Sequence, residues 1–146
     1  MIRNIFRKDS SENKRNETVN APHGDAKTIL LVDDSPTEIH ILKKILERQG
    51  YNIEVARDGQ EGVEAAMRIL PDLILMDVVM PVLNGFQATR KLRSEGDTSN
   101  IPVIMVTTKD QQTDINWGMR QGASEYLVKP VKPAELLLKI RTLLDG

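Results

Sequence analysis

From Lys27 onward, short apolar runs alternate with longer amphipathic ones, and this alternation restricts the possible folds more than any other feature of the 146 residues. The apolar runs are "TILLV" (28–32), "NIEVA" (52–56), "DLILM" (72–76), "PVIMV" (102–106) and "SEYLV" (124–128), each of strand length. Helical spacing recurs at about 35–49, 58–69, 84–94, 110–121 and 133–144. The first helix has a defined start, with Ser35 as N-cap, Pro36 at the first helical position and Glu38 completing a capping box. Gly50 stops it, and Ile39, Leu42 and Leu46 recur on one face. The last helix opens at Pro133 and carries Leu136, Leu137, Ile140, Leu143 and Leu144 on a broad apolar side. Five strands alternating with five helices imply βαβ units and a parallel sheet covered on both faces. Right-handed crossovers then favour a doubly wound, flavodoxin-like α/β fold with strand order 2-1-3-4-5.

Residues 1–26 break with this pattern. They are rich in Asn, Ser, Lys, Arg and Glu and show no sustained period, so a disordered polar tail is expected before a domain at 27–146. Ile2, Ile5 and Phe6 stand at helical spacing beside Arg3, Arg7 and Lys8, a small anchor for a weak surface contact. Aromatic residues make up only 3% of the chain against 40% hydrophobic, which calls for an aliphatic core. A net charge of −1 gives no global field to recruit nucleic acid or an anionic membrane. With no Cys, disulfides, thiolate catalysis and Cys-ligated metals are excluded. No apolar run approaches the roughly 20 residues that span a bilayer, so no stable membrane insertion is expected. The N-terminus also lacks the apolar core of a secretory signal, and a cytoplasmic location is the expectation.

Strand 3 ends in an acid: "LILM" runs directly into Asp77. In an open sheet of this type, ligands bind at the carboxyl ends of the strands where the strand order reverses, here between strands 1 and 3. Strand 1 ends in Val32 followed by Asp33 and Asp34, so three carboxylates converge on one edge. Three such charges a few Å apart repel strongly and need a positive partner. Lys129, just past strand 5, supplies one; strand 4 ends in Thr107 and Thr108, which add hydroxyls. One Lys does not balance three acids. An oxygen-only site with several carboxylates suits Mg²⁺. A metal-neutralised carboxylate can approach a phosphoryl group and act as the nucleophile, with Lys129 and the Thr107 hydroxyl on the phosphoryl oxygens. Asp34 alone reads equally well as a helix cap.

"LLVDDSP", "LILMDVVMP…NG", "IMVTT" and "YLVKP" together closely resemble the response-regulator receiver domain of two-component signalling, over about residues 27–145. The chemotaxis receiver CheY has the 2-1-3-4-5 order, so that order is also what the resemblance implies. Carried over position by position, the resemblance makes Asp77 the phosphoacceptor and Asp33 and Asp34 Mg²⁺ ligands, the first through water. The Val79 main-chain carbonyl becomes a further ligand, Thr107 the switch hydroxyl and Lys129 the phosphate-binding ammonium. Tyr126 becomes the aromatic that rotates inward on activation. The resemblance also implies a cis peptide at Lys129–Pro130, while Pro81 and Gly85 shape the loop after the phosphoacceptor and Asn84 caps helix 3. Val79 and Lys109 occupy the positions two past Asp77 and two past Thr107 that set phosphoryl lifetime. Neither side chain is an acid or amide to position a water, and slow self-dephosphorylation is expected.

"DDSPTEIHIL", "LILMDVVMPVLNGFQATR" and "VTTKDQQTDINWGMRQGASEYLVKPV" are more narrowly similar to the PilH-type stand-alone regulators of type IV pilus twitching chemosensory systems. This implies a CheA-like or hybrid histidine kinase as phosphodonor. The chain stops shortly after helix 5, so the expected readout is a surface of the receiver, which in this family is the helix 4–strand 5–helix 5 face. Trp117 on helix 4 serves either packing or recognition, and His40 reads as a surface residue. Three functions compete: a messenger to a motility output, a phosphate sink for a sister regulator, and a haloacid-dehalogenase-like phosphatase. The last wants a second Asp two residues past the nucleophile, where this chain has Val79. A P-loop nucleotidase is excluded because no GxxxxGK[ST] occurs.

Overall fold

A computed structural model describes residues 25–145; the expected tail, with Ile2, Ile5 and Phe6, lies almost entirely outside them. Five strands and five helices alternate: β1 (Thr28–Val32), α1 (Pro36–Glu47), β2 (Asn52–Ala56), α2 (Gly59–Ile69), β3 (Leu73–Met76), α3 (Gly85–Ser94), β4 (Val103–Thr107), α4 (Gln112–Gln121), β5 (Glu125–Val128) and α5 (Pro133–Asp145). All neighbouring strands pair in parallel, in the order β2-β1-β3-β4-β5. This is the flavodoxin-like arrangement that the alternation implies, with the order reversing beside β1.

Alternate residues of each strand feed two aliphatic layers. Ile29 and Leu31 of β1, Leu73 and Leu75 of β3, and Ile104 and Val106 of β4 pack with Leu42 and Leu46 of α1 and Leu136 and Ile140 of α5. On the other face Leu30, Val32, Ile74, Met76, Val103 and Met105 meet Val63 and Ala66 of α2 and Ala88 and Leu92 of α3. All four residues of β3 are buried, since it lies inside the sheet and is covered on both sides. Each buried Leu or Ile is worth about 2 kcal/mol relative to exposure. The core therefore fixes the strands whose ends carry the charged residues.

The helices start where their caps dictate. Asp58 caps α2 through the Glu61 N–H at 2.8 Å. Asn84 and Gln87 form a reciprocal capping box at α3, each side chain accepting from the other's backbone N–H at 2.8 and 3.0 Å. At α1 the expected capping box is only half formed. The Ser35 hydroxyl accepts from the Glu38 N–H at 3.3 Å, but the Ser35 N–H donates to Asp33 Oδ1 at 2.9 Å instead of to Glu38. A carboxylate two residues back competes successfully for that donor, which leaves the Glu38 side chain free to act elsewhere.

Candidate functional site

The register of the sheet builds the site. Val32 pairs with Met76, and the Asp77 N–H donates to the Val32 carbonyl at 2.9 Å, so β1 and β3 deliver their acids side by side. Carboxylate oxygens of Asp33, Asp34 and Asp77 all lie within 4.8 Å of one another. Asp33 and Asp77 are buried and Asp34 is exposed, which leaves the cluster open to solvent on one side. Two ladders away, Thr107 pairs with Val128, and the Lys129 N–H donates to the Thr107 carbonyl at 2.8 Å. From there Lys129 Nζ reaches Asp33 Oδ2 at 2.8 Å and Asp77 Oδ2 at 3.2 Å. Glu38, released from its cap, stands 3.7 Å away as a third acid on the same ammonium. The Lys129–Pro130 peptide is cis.

Burial alone would lower the Lys129 pKa. The hydrogen bond that the ammonium donates to Asp33 and the charges of Asp77 and Asp33 outweigh it, and the pKa stands above the usual lysine value. The ammonium is therefore a fixed positive charge at physiological pH. The remaining oxygen capacity is consistent with a hard cation. Asp33 Oδ1 accepts from the Ser35 N–H and Asp77 Oδ1 from the Val78 N–H at 2.6 Å, and each oxygen keeps a second lone pair. An all-oxygen set with one solvent-facing carboxylate suits Mg²⁺ and its retained waters.

Gly85 sets how closely α3 approaches this edge. Its N–H donates to the Val78 carbonyl at 2.9 Å, and a Cβ there would run into the Asp77 carbonyl and the Val78 Cα. Val79, two past Asp77, has its side chain 57% exposed. Sequence reasoning missed a strained turn three residues further along the chain. The Leu83 N–H donates to the Pro81 carbonyl at 2.8 Å across this tight three-residue turn, and Val82 at its centre has φ 71°. A β-branched residue there is strained by about 1–3 kcal/mol. Val82 is 79% exposed, so almost no packing is lost on truncation. Val82→Gly is expected to raise stability by about 1 kcal/mol, after the added freedom of glycine in the unfolded chain, and to raise Tm by roughly 2–4 °C. Thermal unfolding of the two proteins checks it; a lower Tm would mean that the turn is not strained.

Thr107 is fully buried as the last residue of β4, and its Oγ1 accepts from the Lys109 N–H at 3.3 Å. The Lys109 carbonyl in turn accepts from the Tyr126 hydroxyl at 2.8 Å. Tyr126 is half-buried against the α2–α3 layer, with Phe86 packed on the same layer. Burial, with smaller contributions from the carboxylates of Asp114, Asp77 and Asp110, pushes its phenol up to about 12. The structure thus brings the carboxylates of Asp33, Asp34 and Asp77 together and sets Lys129 against Asp33 and Asp77. Thr107 joins that group through its carbonyl, which accepts from the Lys129 N–H, and the Lys109 backbone links Tyr126 to Thr107. His40 is exposed, and so is Trp117 at 46%, with the Arg120 guanidinium 5.8 Å from its ring.

The response regulator receiver domain family matches residues 29–141. Protein PilH of Pseudomonas aeruginosa is 55% identical over 118 residues, which cover 81% of this chain and 98% of PilH. Among solved structures, the receiver domain of a sensor histidine kinase from Pseudomonas aeruginosa, crystallised with a magnesium ion coordinated in its active-site cleft, superposes with a TM-score of 0.78. It shares 34% identity and covers 83% of this chain and 99% of its own. The chemotaxis protein CheY4 of Vibrio cholerae gives a TM-score of 0.77 at 33% identity, over 82% and 99% of the two chains. The family match spans the strand ends on which the acids and Lys129 sit, and the chain belongs to the response regulator receiver domain family.

Proposed function

We propose that this chain is a single-domain response regulator that accepts a phosphoryl group on Asp77 from a CheA-like or hybrid histidine kinase. One observation carries the reading: Lys129 Nζ lies 2.8 Å from Asp33 and 3.2 Å from Asp77, inside a carboxylate cluster with one exposed acid. In the transfer, an Asp77 carboxylate oxygen forms the new bond to phosphorus as the P–N bond of the phosphohistidine breaks. The electron pair returns to the ring, whose other nitrogen holds the proton, and neutral imidazole leaves. Asp33, Asp34, Asp77 and the Val79 carbonyl would hold Mg²⁺, which when bound supplies the positive charge that lets two anions meet. Lys129 and the Thr107 hydroxyl bind the phosphoryl oxygens. Lys129 then exchanges one carboxylate partner for another anion, at no change in its own charge.

In this reading Thr107 and Tyr126 are the switch, and the receiver runs from 27 to 146 with residues 1–26 as an appended polar tail. The output partner sits on the α4–β5–α5 face, supported by the exposed Trp117, Met119, Val128 and Leu138 there. Similarity to PilH supports a role in type IV pilus twitching motility. In this reading the protein acts in the cytoplasm, where the proposed kinase would draw its phosphate from ATP, and no helix among the described residues is long and apolar enough to cross a membrane. Reversing the switch from 1:99 to 99:1 would take about 5.5 kcal/mol of differential binding, so a partial shift is expected.

Incubation with a small phosphodonor and Mg²⁺, followed by mass spectrometry, tests the reading; a phosphoryl group on any residue other than Asp77 refutes it. Pull-downs with and without a beryllofluoride mimic separate messenger from phosphate sink, since only the messenger gains an output partner. Val79 is apolar and solvent-facing, and Lys109 offers its backbone to Thr107 and Tyr126. Neither supplies an acid or amide to orient an attacking water. Label on the isolated protein is expected to persist for minutes or longer, and decay within seconds would contradict this.

A further inference from the structure

We propose that Gly118 is a positioning residue that seats the Tyr126 ring and thereby ties the placement of α4 to the phosphoryl site. This deepens the function proposed above and rests on it. Among the described residues, Gly118 is the one buried residue of α4; the other nine are partly or fully exposed. A helix interior disfavours glycine relative to alanine, so a glycine at its sole buried point needs a reason. The reason is the tyrosine. A Cβ at Gly118 would stand 3.0 Å from both Cδ2 and Cε2 of Tyr126 and 3.4 Å from Cε1 of Phe86. The ring cannot yield freely, because its hydroxyl is bonded to the Lys109 carbonyl at 2.8 Å.

These contacts form a continuous set. Thr107 Oγ1 accepts from the Lys109 N–H, the Lys109 carbonyl accepts from Tyr126, and the ring fills the space that Gly118 leaves open. Of the apolar residues of α4, Ile115 is half-buried against its neighbours while Trp117 and Met119 are exposed, and the helix packs along α3 and β5. The one buried residue of the helix is indexed on this aromatic ring, whose hydroxyl end is linked to Thr107 through the Lys109 backbone. A pull on Thr107 by a phosphoryl oxygen changes where the ring is most stable, and α4 follows or loses the contact at its one buried residue. Since the Gly118 notch admits the ring in this position, it biases the equilibrium toward it.

The test uses the chain's single tryptophan, Trp117, which adjoins Gly118 on α4. Trp117 fluorescence is recorded in the full chain as beryllofluoride is added with Mg²⁺, and label uptake from a small phosphodonor is measured in parallel. Gly118→Ala is expected to shrink the fluorescence response at least two-fold, while label uptake stays within two-fold of the parent. In a Tyr126→Ala background, which empties the space, Gly118→Ala is expected to add nothing further. An unchanged response in Gly118→Ala overturns the inference, and so does an equal loss in the Tyr126→Ala background. A parent that takes label without any Trp117 response overturns it too, since α4 would not follow the site. A parent that takes no label and gives no response refutes the phosphoacceptor reading, and this inference falls with it.

Discussion

Asp77→Asn is expected to lower phosphoryl labelling by on the order of 10³-fold or more. The side chains are nearly isosteric, and the β3 backbone is held by a fully buried strand, so the fold and the positions of Asp33 and Asp34 are retained. What changes is chemistry. The amide nitrogen has its lone pair delocalised, and the amide oxygen carries no full negative charge to attack phosphorus. One of the three anionic ligands that draw a divalent cation is also lost. Labelling from a small phosphodonor and from a candidate kinase, with circular dichroism as a control for folding, measures both. Residual labelling at parental rates would move the acceptor to another residue and remove the basis of the functional reading.

Lys129→Met carries the second large effect, and it falls on stability as well as activity. Among the described residues, Lys129 is the only cation in ion-pair contact with Asp33 and Asp77, whose side chains are 2% and 11% exposed. Methionine keeps much of the apolar stem but leaves two neighbouring carboxylates facing each other. Breaking one side of a buried ion pair costs about 3–5 kcal/mol. The solvent-facing Asp34 side of the cluster relieves part of this, so a loss of about 3 kcal/mol is expected in chelator. Millimolar Mg²⁺ should restore part of it, because a cation bound only by the folded state stabilises that state. Labelling should fall by roughly 10²-fold for want of a phosphoryl-oxygen partner. Urea unfolding with and without Mg²⁺ gives the first quantity; parental stability in chelator would show that the pair does not hold this edge together.

The elements were legible because burial imposes a period. Leu73 to Met76 form a continuous apolar run because β3 is covered on both faces, and α1 repeats Ile39, Leu42 and Leu46 because only one of its sides meets the sheet. Boundaries moved by one or two residues, as at β4, which begins at Val103 and takes in Thr107. Local rules failed where a distant or competing group intervened. Ser35–Glu38 reads as a capping box, yet Asp33 takes the donor that Glu38 would have used. "MPVLNG" reads as a loop, but nothing local announces that Val82 is the residue forced to positive φ. Gly118 reads as a weak spot in a helix until Tyr126 is placed against it.

By itself, the order of residues determined the alternation of strands and helices, the aliphatic two-layer core, and the presence of an acid or a lysine at particular strand ends. Those features come from hydrophobic spacing, which acts over one or two helical turns. Only the tertiary structure decided that Lys129 contacts Asp33 across 96 residues and Asp77 across 52, that Glu38 joins them, and that Tyr126 settles beside Gly118. Charge pairs of that kind depend on parallel register and crossover geometry, which are set by how whole layers pack. No local stretch of chain contains that information.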